Sequence, residues 1–185
     1  MFKLFVFSTF IYYLLVAVHG DCSMDKDKGN SSCGSKPSIR WYFNQKKFRC
    51  MVFTYMGCGG NDNNFESLDA CQGKCHPADG LACFSASFSP PAPMPAGALR
   101  LGPHWCQIIG CPTGYQCQTG GLISQCCNSA TENWFREADN PKCKNGQTAL
   151  QLGGHIAVAD SCSDLSCPQG QTCEITNQLF AKCCK

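Results

Sequence analysis

The sequence predicts a small disulfide-rich fold built of three separately stapled units. Three observations predict it. Eighteen cysteines stand in a chain of 185 residues. By spacing they fall into three sets of six with none left over. The second and third sets repeat one another. Such cysteine density in a secreted chain marks a disulfide framework rather than one large hydrophobic core. Even sets leave no free thiol to react.

Residues 1–20 read as a signal peptide. Lys3 opens it, an apolar run spans Leu4 to Val18, and Val18-His19-Gly20 offers short residues for cleavage. A membrane-crossing helix needs about 20 apolar residues, and this run has 15. It is expected to be cleaved rather than to anchor the chain. The mature protein then starts at Asp21, keeps every cysteine, and is secreted and extracellular. The formal net charge is +2, and +1 once Lys3 is lost. A balance so close to neutral gives no electrostatic reason to expect nucleic acid or an anionic membrane as partner.

The first unit, 21–76, holds Cys22, Cys33, Cys50, Cys58, Cys71 and Cys75, separated by 10, 16, 7, 12 and 3 residues. Cys71 and Cys75 are four apart, which puts both on one face of a helix. Ser67 is placed to cap that helix, and Ala70 at its third position completes no capping box. A unit this short buries too little apolar surface to be secure alone. Three cross-links, each worth roughly 2–4 kcal/mol, and a core of Tyr42, Phe43, Phe53, Tyr55 and Phe65 are expected to hold it. Trp41 and the tyrosines read as structural. Asn30-Ser31-Ser32 is an N-glycosylation acceptor three residues before Cys33.

These spacings, with Arg40-Trp41-Tyr42-Phe43-Asn44, Cys50-Met51-Val52-Phe53-Thr54-Tyr55 and Asn63-Asn64-Phe65, resemble the Kunitz (pancreatic trypsin inhibitor) family. The last three spacings are the family's own, and the first two are longer. The resemblance implies an α+β fold of a twisted two-stranded hairpin and a C-terminal helix. It implies the bridges Cys22–Cys75, Cys33–Cys58 and Cys50–Cys71. It also implies inhibition of a serine endopeptidase through an exposed loop of Ser32, Cys33, Gly34, Ser35 and Lys36, backed by Gly57 and Cys58. Gly34 is then the residue that enters the enzyme's primary specificity pocket, and the inhibitory conformation asks for a negative φ there. The Cys33–Cys58 bridge would stiffen the loop, so that little entropy is lost on binding.

Four features depart from the family pattern. Gly34 has no side chain, where trypsin-directed members carry lysine or arginine. The loop from Cys33 to Arg40 is one residue longer than usual and contains Pro37. Met56 replaces a glycine beside Gly57. A glycan on Asn30 would crowd the approach to Cys33. Filling a pocket with a long side chain is worth ~1.5–3 kcal/mol, and losing one partner of a buried charge pair costs ~2–5 kcal/mol. At about 1.4 kcal/mol per tenfold, weak trypsin binding is expected. Lys36 is no substitute, because a Lys36–Pro37 bond is a poor protease substrate.

The second unit, 83–127, holds Cys83, Cys106, Cys111, Cys117, Cys126 and Cys127. The third, 143–185, holds Cys143, Cys162, Cys167, Cys173, Cys183 and Cys184. From Cys106 and from Cys162 both read Cys-x-x-(Ile/Leu)-x-Cys-Pro-x-Gly-x-x-Cys and both end in a cysteine pair. The apolar pairs Leu122-Ile123 and Leu179-Phe180 precede those endings. Two copies make tandem modules. Pro112 to Gly114 and Pro168 to Gly170 suit tight turns, with short strands expected on either side. Residues 76–82 and 128–142 read as joints. Residues 89–103 carry five prolines and should be extended or irregular. The paired units resemble the lustrin-type cysteine-rich repeat, which implies no defined activity. Six cysteines allow 15 pairings, and the repeat motif selects none.

Zinc is not expected, since the paired Cys-x-x-Cys signature is missing and the compartment is oxidising. His76, His104 and His155 stand in polar or glycine-rich surroundings, and no nucleophile motif accompanies them. No enzyme and no cofactor are expected. Lys46, Lys47 and Arg49, near the hairpin tip, read as a solvated turn rather than a sulfated-glycan site. Two functional readings remain: a secreted serine protease inhibitor with accessory repeats, or a non-inhibitory structural protein that contacts extracellular matrix components.

Overall fold

The computed structural model describes residues 20–76, 81–84 and 86–185. The expected leader, apart from Gly20, and residues 77–80 of the first expected joint lie outside the described residues.

After a short helical turn, α1 (Gly20–Ser23), the chain forms an antiparallel hairpin of β1 (Ser38–Asn44) and β2 (Arg49–Tyr55). Aromatic and β-branched residues dominate both strands, as a half-buried pleated surface favours. The reversal is tight. The Lys47 amide donates to Asn44 Oδ1 (3.0 Å), and Phe48 takes φ 49° with its ring against Phe43 and His76. Then comes α2 (Leu68–Cys75). Its N-cap Ser67 accepts from the Ala70 amide at 3.1 Å, with Asp69 in the first turn and Lys74 in the last. Both charges suit the helix dipole. Asn63 is fully buried between these elements. Its Oδ1 accepts from the Phe43 amide, and its Nδ2 donates to the Phe43 and Met24 carbonyls.

The nine bridges stay within the three sets, and each set pairs in the same order. First joins last, second joins fourth, third joins fifth. The pairs are Cys22–Cys75, Cys33–Cys58 and Cys50–Cys71; Cys83–Cys127, Cys106–Cys117 and Cys111–Cys126; Cys143–Cys184, Cys162–Cys173 and Cys167–Cys183.

The two later sets share a local plan. A short helical piece precedes each proline turn: α3 (Trp105–Ile109) and a 3₁₀ turn at Cys162–Asp164. The turns close with Tyr115 and Gln171 amides donating to the Pro112 and Pro168 carbonyls, both at 3.0 Å. A hairpin follows each: β3 (Tyr115–Gly120) with β4 (Ile123–Asn128), and β8 (Thr172–Asn177) with β9 (Phe180–Cys184). The expectation of strands on both sides of the turn is thus corrected. The side before it is helical, because the second cysteine of each set must turn back to reach the fourth. The expected joint 128–142 is also not a plain linker. It carries α4 (Ser129–Ala138), whose first turn is capped by Asn128 Oδ1 accepting from the Thr131 amide at 3.1 Å. The proline-containing stretch 89–103 is largely irregular, with a 3₁₀ turn at Ala98–Leu101. The small hairpin β5 (Gln151–Leu152) and β6 (His155–Ile156) and the strand β7 (Val158–Ala159) complete the fold, with sheet order β7-β9-β8.

The aromatic core expected for the first unit is divided between two faces. Side chains alternate along a strand, so Trp41 and Phe43 share one face with Cys50, Val52 and Phe65, against α2. Tyr42, Met51 and Phe53 share the other. There they meet Phe135 and Ala138 of α4, Val158 of β7 and Phe180 of β9. Tyr42 and Phe53 pack edge to face at 5.5 Å, as do Phe135 and Phe180 at 5.0 Å. The hairpin is therefore a shared wall, and its second face is completed by the C-terminal third of the chain.

A buried ionic seat seals that junction. Asp160 accepts from Lys26 Nζ (2.5 Å), from Lys47 Nζ, from the Tyr42 hydroxyl and from Asn44 Nδ2 (3.2 Å). Lys26 and Lys28 also pair with Asp164 at 3.2 and 3.1 Å. Lys47 further donates to the Leu179 carbonyl and lies over the Phe180 ring. The solvated turn expected at Lys46, Lys47 and Arg49 is corrected accordingly. Lys46 alone is exposed. Lys47 is 7% exposed, and Arg49 binds Asp139 at 2.7 Å. Burial alone raises the Asp160 carboxyl, but the hydrogen bonds from Lys26, Lys47 and Tyr42 outweigh it and hold the group below its ordinary value. Burial, with the Asp160 charge, pushes the Tyr42 phenol far up.

Lys182 of β9 is a second buried cation, 1% exposed. Its ammonium donates to the carbonyls of Glu137, Asn140 and Lys142 at 3.2, 2.8 and 3.3 Å, plugging the C-terminal end of α4. Helix ends leave such carbonyls orphaned. Lys182→Met removes the donor and keeps the stem's volume. A loss of about 1–3 kcal/mol is expected, read as a lower midpoint in urea denaturation with the bridges intact. An unchanged midpoint would mean that water replaces the ammonium at no cost.

Candidate functional site: the Cys33–Cys58 loop

The loop predicted from the sequence is an exposed edge at one end of the hairpin. Residues 30–38 are all exposed. Behind them runs a two-way bridge. The Asn30 amide donates to the Cys58 carbonyl at 2.8 Å, and the Cys58 amide donates back to Asn30 at 3.0 Å. The Met56 amide donates to the Lys28 carbonyl at 2.8 Å. The Cys33–Cys58 bridge lies across this pair, with the Cys33 amide 2.9 Å from Cys58 Sγ. Ser32, Cys33, Gly34, Ser35, Gly57 and Cys58 are thus brought together. Lys36 continues the exposed run with no printed side-chain partner. Gly57 has φ 104°, and a Cβ there would lie 2.8 Å from the Ser35 Cβ. Only glycine lets Ser35 fold back this far.

Gly34 departs from expectation. Its φ is +75°, the left-handed region, where the inhibitory conformation calls for a negative value. Its amide donates to the Ser31 carbonyl at 3.3 Å, closing a turn just ahead of the specificity position. The extra loop residue is the physical reason. A longer loop between the same anchors has to bulge, and glycine is the residue that bulges at least cost. A Cβ at position 34 would meet nothing within 4 Å, so space is open and the backbone is the constraint.

Asn30 is exposed, with its Oδ1 occupied by the Ser32 amide (2.9 Å) and Ser32 Oγ (2.5 Å). This local turn is one that asparagine favours.

Sequence reasoning missed the residues that brace the loop from behind. Lys26 and Lys28 precede it, and both are tied to Asp160 and Asp164, with Lys28 also donating to the Ser163 carbonyl at 2.6 Å. The Ser166 amide donates to Thr54 Oγ1 at 2.7 Å on the strand leading to Gly57. A signal was present. Aligned on Cys106 and Cys162, the third set has Asp160 and Asp164 where the second has His104 and Ile108. Only one copy carries the acids that grip the hairpin.

No catalytic constellation forms around the histidines. His76 and His155 line a cavity of about 600 Å³ with Trp41, Phe48, Phe135 and Arg136, and no serine lines it. His104 stands at the start of α3. The described groups with metal-ligand spacing are built on Cys106, Cys111 and Cys117, on Cys83 and Cys127, and on Cys143 and Cys184, all oxidised in disulfides. A disulfide sulfur is no thiolate ligand.

Residues 21–76 match the model of the Kunitz/bovine pancreatic trypsin inhibitor domain. Beyond that domain, the chain is 33% identical over 172 residues to the major allergen Ani s 1 of Anisakis simplex, covering 89% of this chain and 87% of that protein. It is 30% identical over 167 residues to a BPTI/Kunitz inhibitor domain-containing protein of Caenorhabditis elegans, covering 89% of each. The chain belongs to the Kunitz/bovine pancreatic trypsin inhibitor family. A further likeness, 50% over 54 residues, is to mouse tissue factor pathway inhibitor 2; it covers 29% of this chain and 22% of that protein. The Kunitz domain is that of an inhibitor family, and the chain is not an enzyme. Among the described residues no helix is long and apolar enough to cross a membrane.

Proposed function

We propose that this Kunitz protein is a secreted serine protease inhibitor whose Cys33–Cys58 loop is a weak ligand for trypsin-like enzymes. One observation carries the reading. The residue at the primary specificity position, Gly34, is exposed, lacks a side chain and has φ +75°. A deep pocket with a carboxylate at its base gains nothing from it. A glycan on Asn30 would shade the same edge. The partner is then a serine endopeptidase with a small, elastase-like pocket. The working division is a leader at 1–20, the Kunitz domain at 21–76 and lustrin-type repeats at 83–127 and 143–185. The shared pairing order and proline turns of the last two support the repeat reading.

A second reading, a non-inhibitory structural protein of the extracellular matrix, draws support from the shared core. There the hairpin serves as a wall for the C-terminal repeat.

Titration of the purified protein against trypsin-, chymotrypsin- and elastase-like enzymes separates the readings. Weaker than micromolar inhibition of trypsin and chymotrypsin is expected, with elastase-like enzymes inhibited most strongly. No inhibition anywhere would favour the structural reading. Nanomolar trypsin inhibition would overturn the assignment of Gly34.

A further inference from the structure

The two cysteine-rich sets carry the same apolar triad in register. Ile109 stands two residues before the Cys-Pro turn, and Leu122-Ile123 stands at the hairpin reversal. Their counterparts are Leu165 and Leu179-Phe180. In the C-terminal copy this face is covered. Phe180 is 1% exposed and, with Leu179, packs on the outer face of β1–β2, while Leu165 joins the core on the hairpin's other face. In the middle copy the same face is open. Ile109 and Ile123 are each 49% exposed, and Leu122 is 82% exposed. The helix and the hairpin that present them are fastened side by side by Cys106–Cys117, Cys111–Cys126 and the Gln107–Thr119 hydrogen bond at 3.0 Å. Nine of the eleven exposed large apolar side chains among the described residues fall between positions 81 and 123.

The charges differ as sharply as the coverage. The C-terminal copy frames its face with Asp160 and Asp164, which receive Lys26, Lys28 and Lys47 of the Kunitz domain. The middle copy has His104 and Ile108 in their place, and Ile108 is itself 62% exposed. From 81 to 127, Arg100 is the one residue among Asp, Glu, Lys and Arg. A lysine docked on this face would be desolvated without a counter-ion, which selects against a lysine-bearing hairpin.

We propose that the face of Ile108, Ile109, Leu122 and Ile123 is a docking surface for another protein, one that offers an apolar, uncharged face of a two-stranded β-hairpin. The C-terminal copy supplies the template. An equivalent surface in the same chain already seats such a hairpin, and the chain's own hairpin is fully engaged there. The middle copy keeps the apolar grip and drops the acids, so it is complementary to a hairpin without cations. A lipid surface would need no hairpin-shaped counterpart, and a second copy would present a hairpin already covered.

The test uses the full mature chain and two cyclised hairpin peptides that copy residues 39–55. In the first peptide Lys46, Lys47, Arg40 and Arg49 are replaced by glutamine and Cys50 by serine. In the second only Cys50 is replaced. Binding is followed by fluorescence anisotropy. The uncharged peptide is expected to bind wild type saturably, and at least tenfold more weakly to Leu122→Asp/Ile123→Asp. The basic peptide is expected to bind wild type at least tenfold more weakly than the uncharged one. It should recover on His104→Asp/Ile108→Asp, where the acids of the C-terminal copy are reinstated. Non-reducing peptide mapping of each variant checks that the bridges are unchanged. Equal binding of the uncharged peptide to wild type and Leu122→Asp/Ile123→Asp would overturn the proposal, as would no saturable binding to wild type. So would partition onto phosphatidylcholine vesicles, or self-association in sedimentation, that Leu122→Asp/Ile123→Asp abolishes while peptide binding stays intact.

Discussion

Asp160→Ala is expected to lower the unfolding free energy by about 3 kcal/mol. Removing one partner of a buried ion pair typically costs ~3–5 kcal/mol, because the stranded charge stays desolvated. Here two ammonium groups lose their acceptor, and Lys47 is the more deeply enclosed of the two. The lower end of the range applies because Lys26 retains Asp164 at 3.2 Å and Lys47 retains the Leu179 carbonyl. Equilibrium urea denaturation with intact bridges gives the value. A loss under 1 kcal/mol would mean that water screens the seat. The acid limb gives a second reading of the same group. Burial raises the Asp160 carboxyl, and the hydrogen bonds from Lys26, Lys47 and Tyr42 more than reverse it. A carboxyl held lower in the fold than in the unfolded chain stabilises above its unfolded value of about 3.9. That contribution is lost as pH falls through the folded value. Between about pH 4 and the onset of acid unfolding, wild type should therefore lose stability more steeply than Asp160→Asn.

Gly34→Arg with Asn30→Gln is expected to restore trypsin inhibition only to about the micromolar range, near −8 kcal/mol. The arginine can reach a pocket carboxylate, and the glycan is gone. The backbone works against it. At φ +75° an L side chain is strained by roughly 1–2 kcal/mol, close to a tenfold loss. The loop must also move to present the residue, and recognition by preorganised loops is sensitive to shifts of an ångström. Removing Lys36 from this double variant shortens the loop by one residue and relieves the bulge. A further gain of tenfold or more is expected, measured as the trypsin inhibition constant of each protein. If Gly34→Arg alone reaches nanomolar inhibition, the left-handed turn at Gly34 does not persist against the enzyme. If the shortened variant is no better than the double variant, loop length is not what limits it.

The Kunitz domain is legible in the sequence because its signals are local. Cysteine spacing marks the helix that carries Cys71 and Cys75. Runs of aromatic and β-branched residues mark the strands, and Ser67 marks the cap. What hides is nonlocal. Tyr42 and Phe43 look alike in a string, and only the pleat sends one toward α2's side and the other toward Phe180. Lys47 reads as a surface residue until Asp160, 113 positions away, meets it. Gly34 tells the reader that the specificity pocket would be empty, yet glycine accepts either sign of φ. The bulge was therefore invisible. The helix at Ser129–Ala138 was passed over as a joint because it contains no cysteine, although Asn128 stands at its cap. The bracing acids Asp160 and Asp164 could have been found only by setting the two repeats against each other.

The closure of all nine bridges within their own thirds bears on how the protein is made. Each third can finish its oxidation as it emerges, without waiting for a distant thiol. The hairpin face formed by Tyr42, Met51 and Phe53 is different. Its cover, from Phe135 to Phe180, is synthesised up to roughly a hundred residues later, about 5–20 s at common elongation rates. For that interval a completed, cross-linked Kunitz domain exposes a sheet of aromatic and aliphatic side chains inside the secretory compartment. Nascent chains cut short before Asp160 keep that face permanently bare, with Lys26 and Lys47 beside it. Such truncated products are the ones a lumenal chaperone should hold longest.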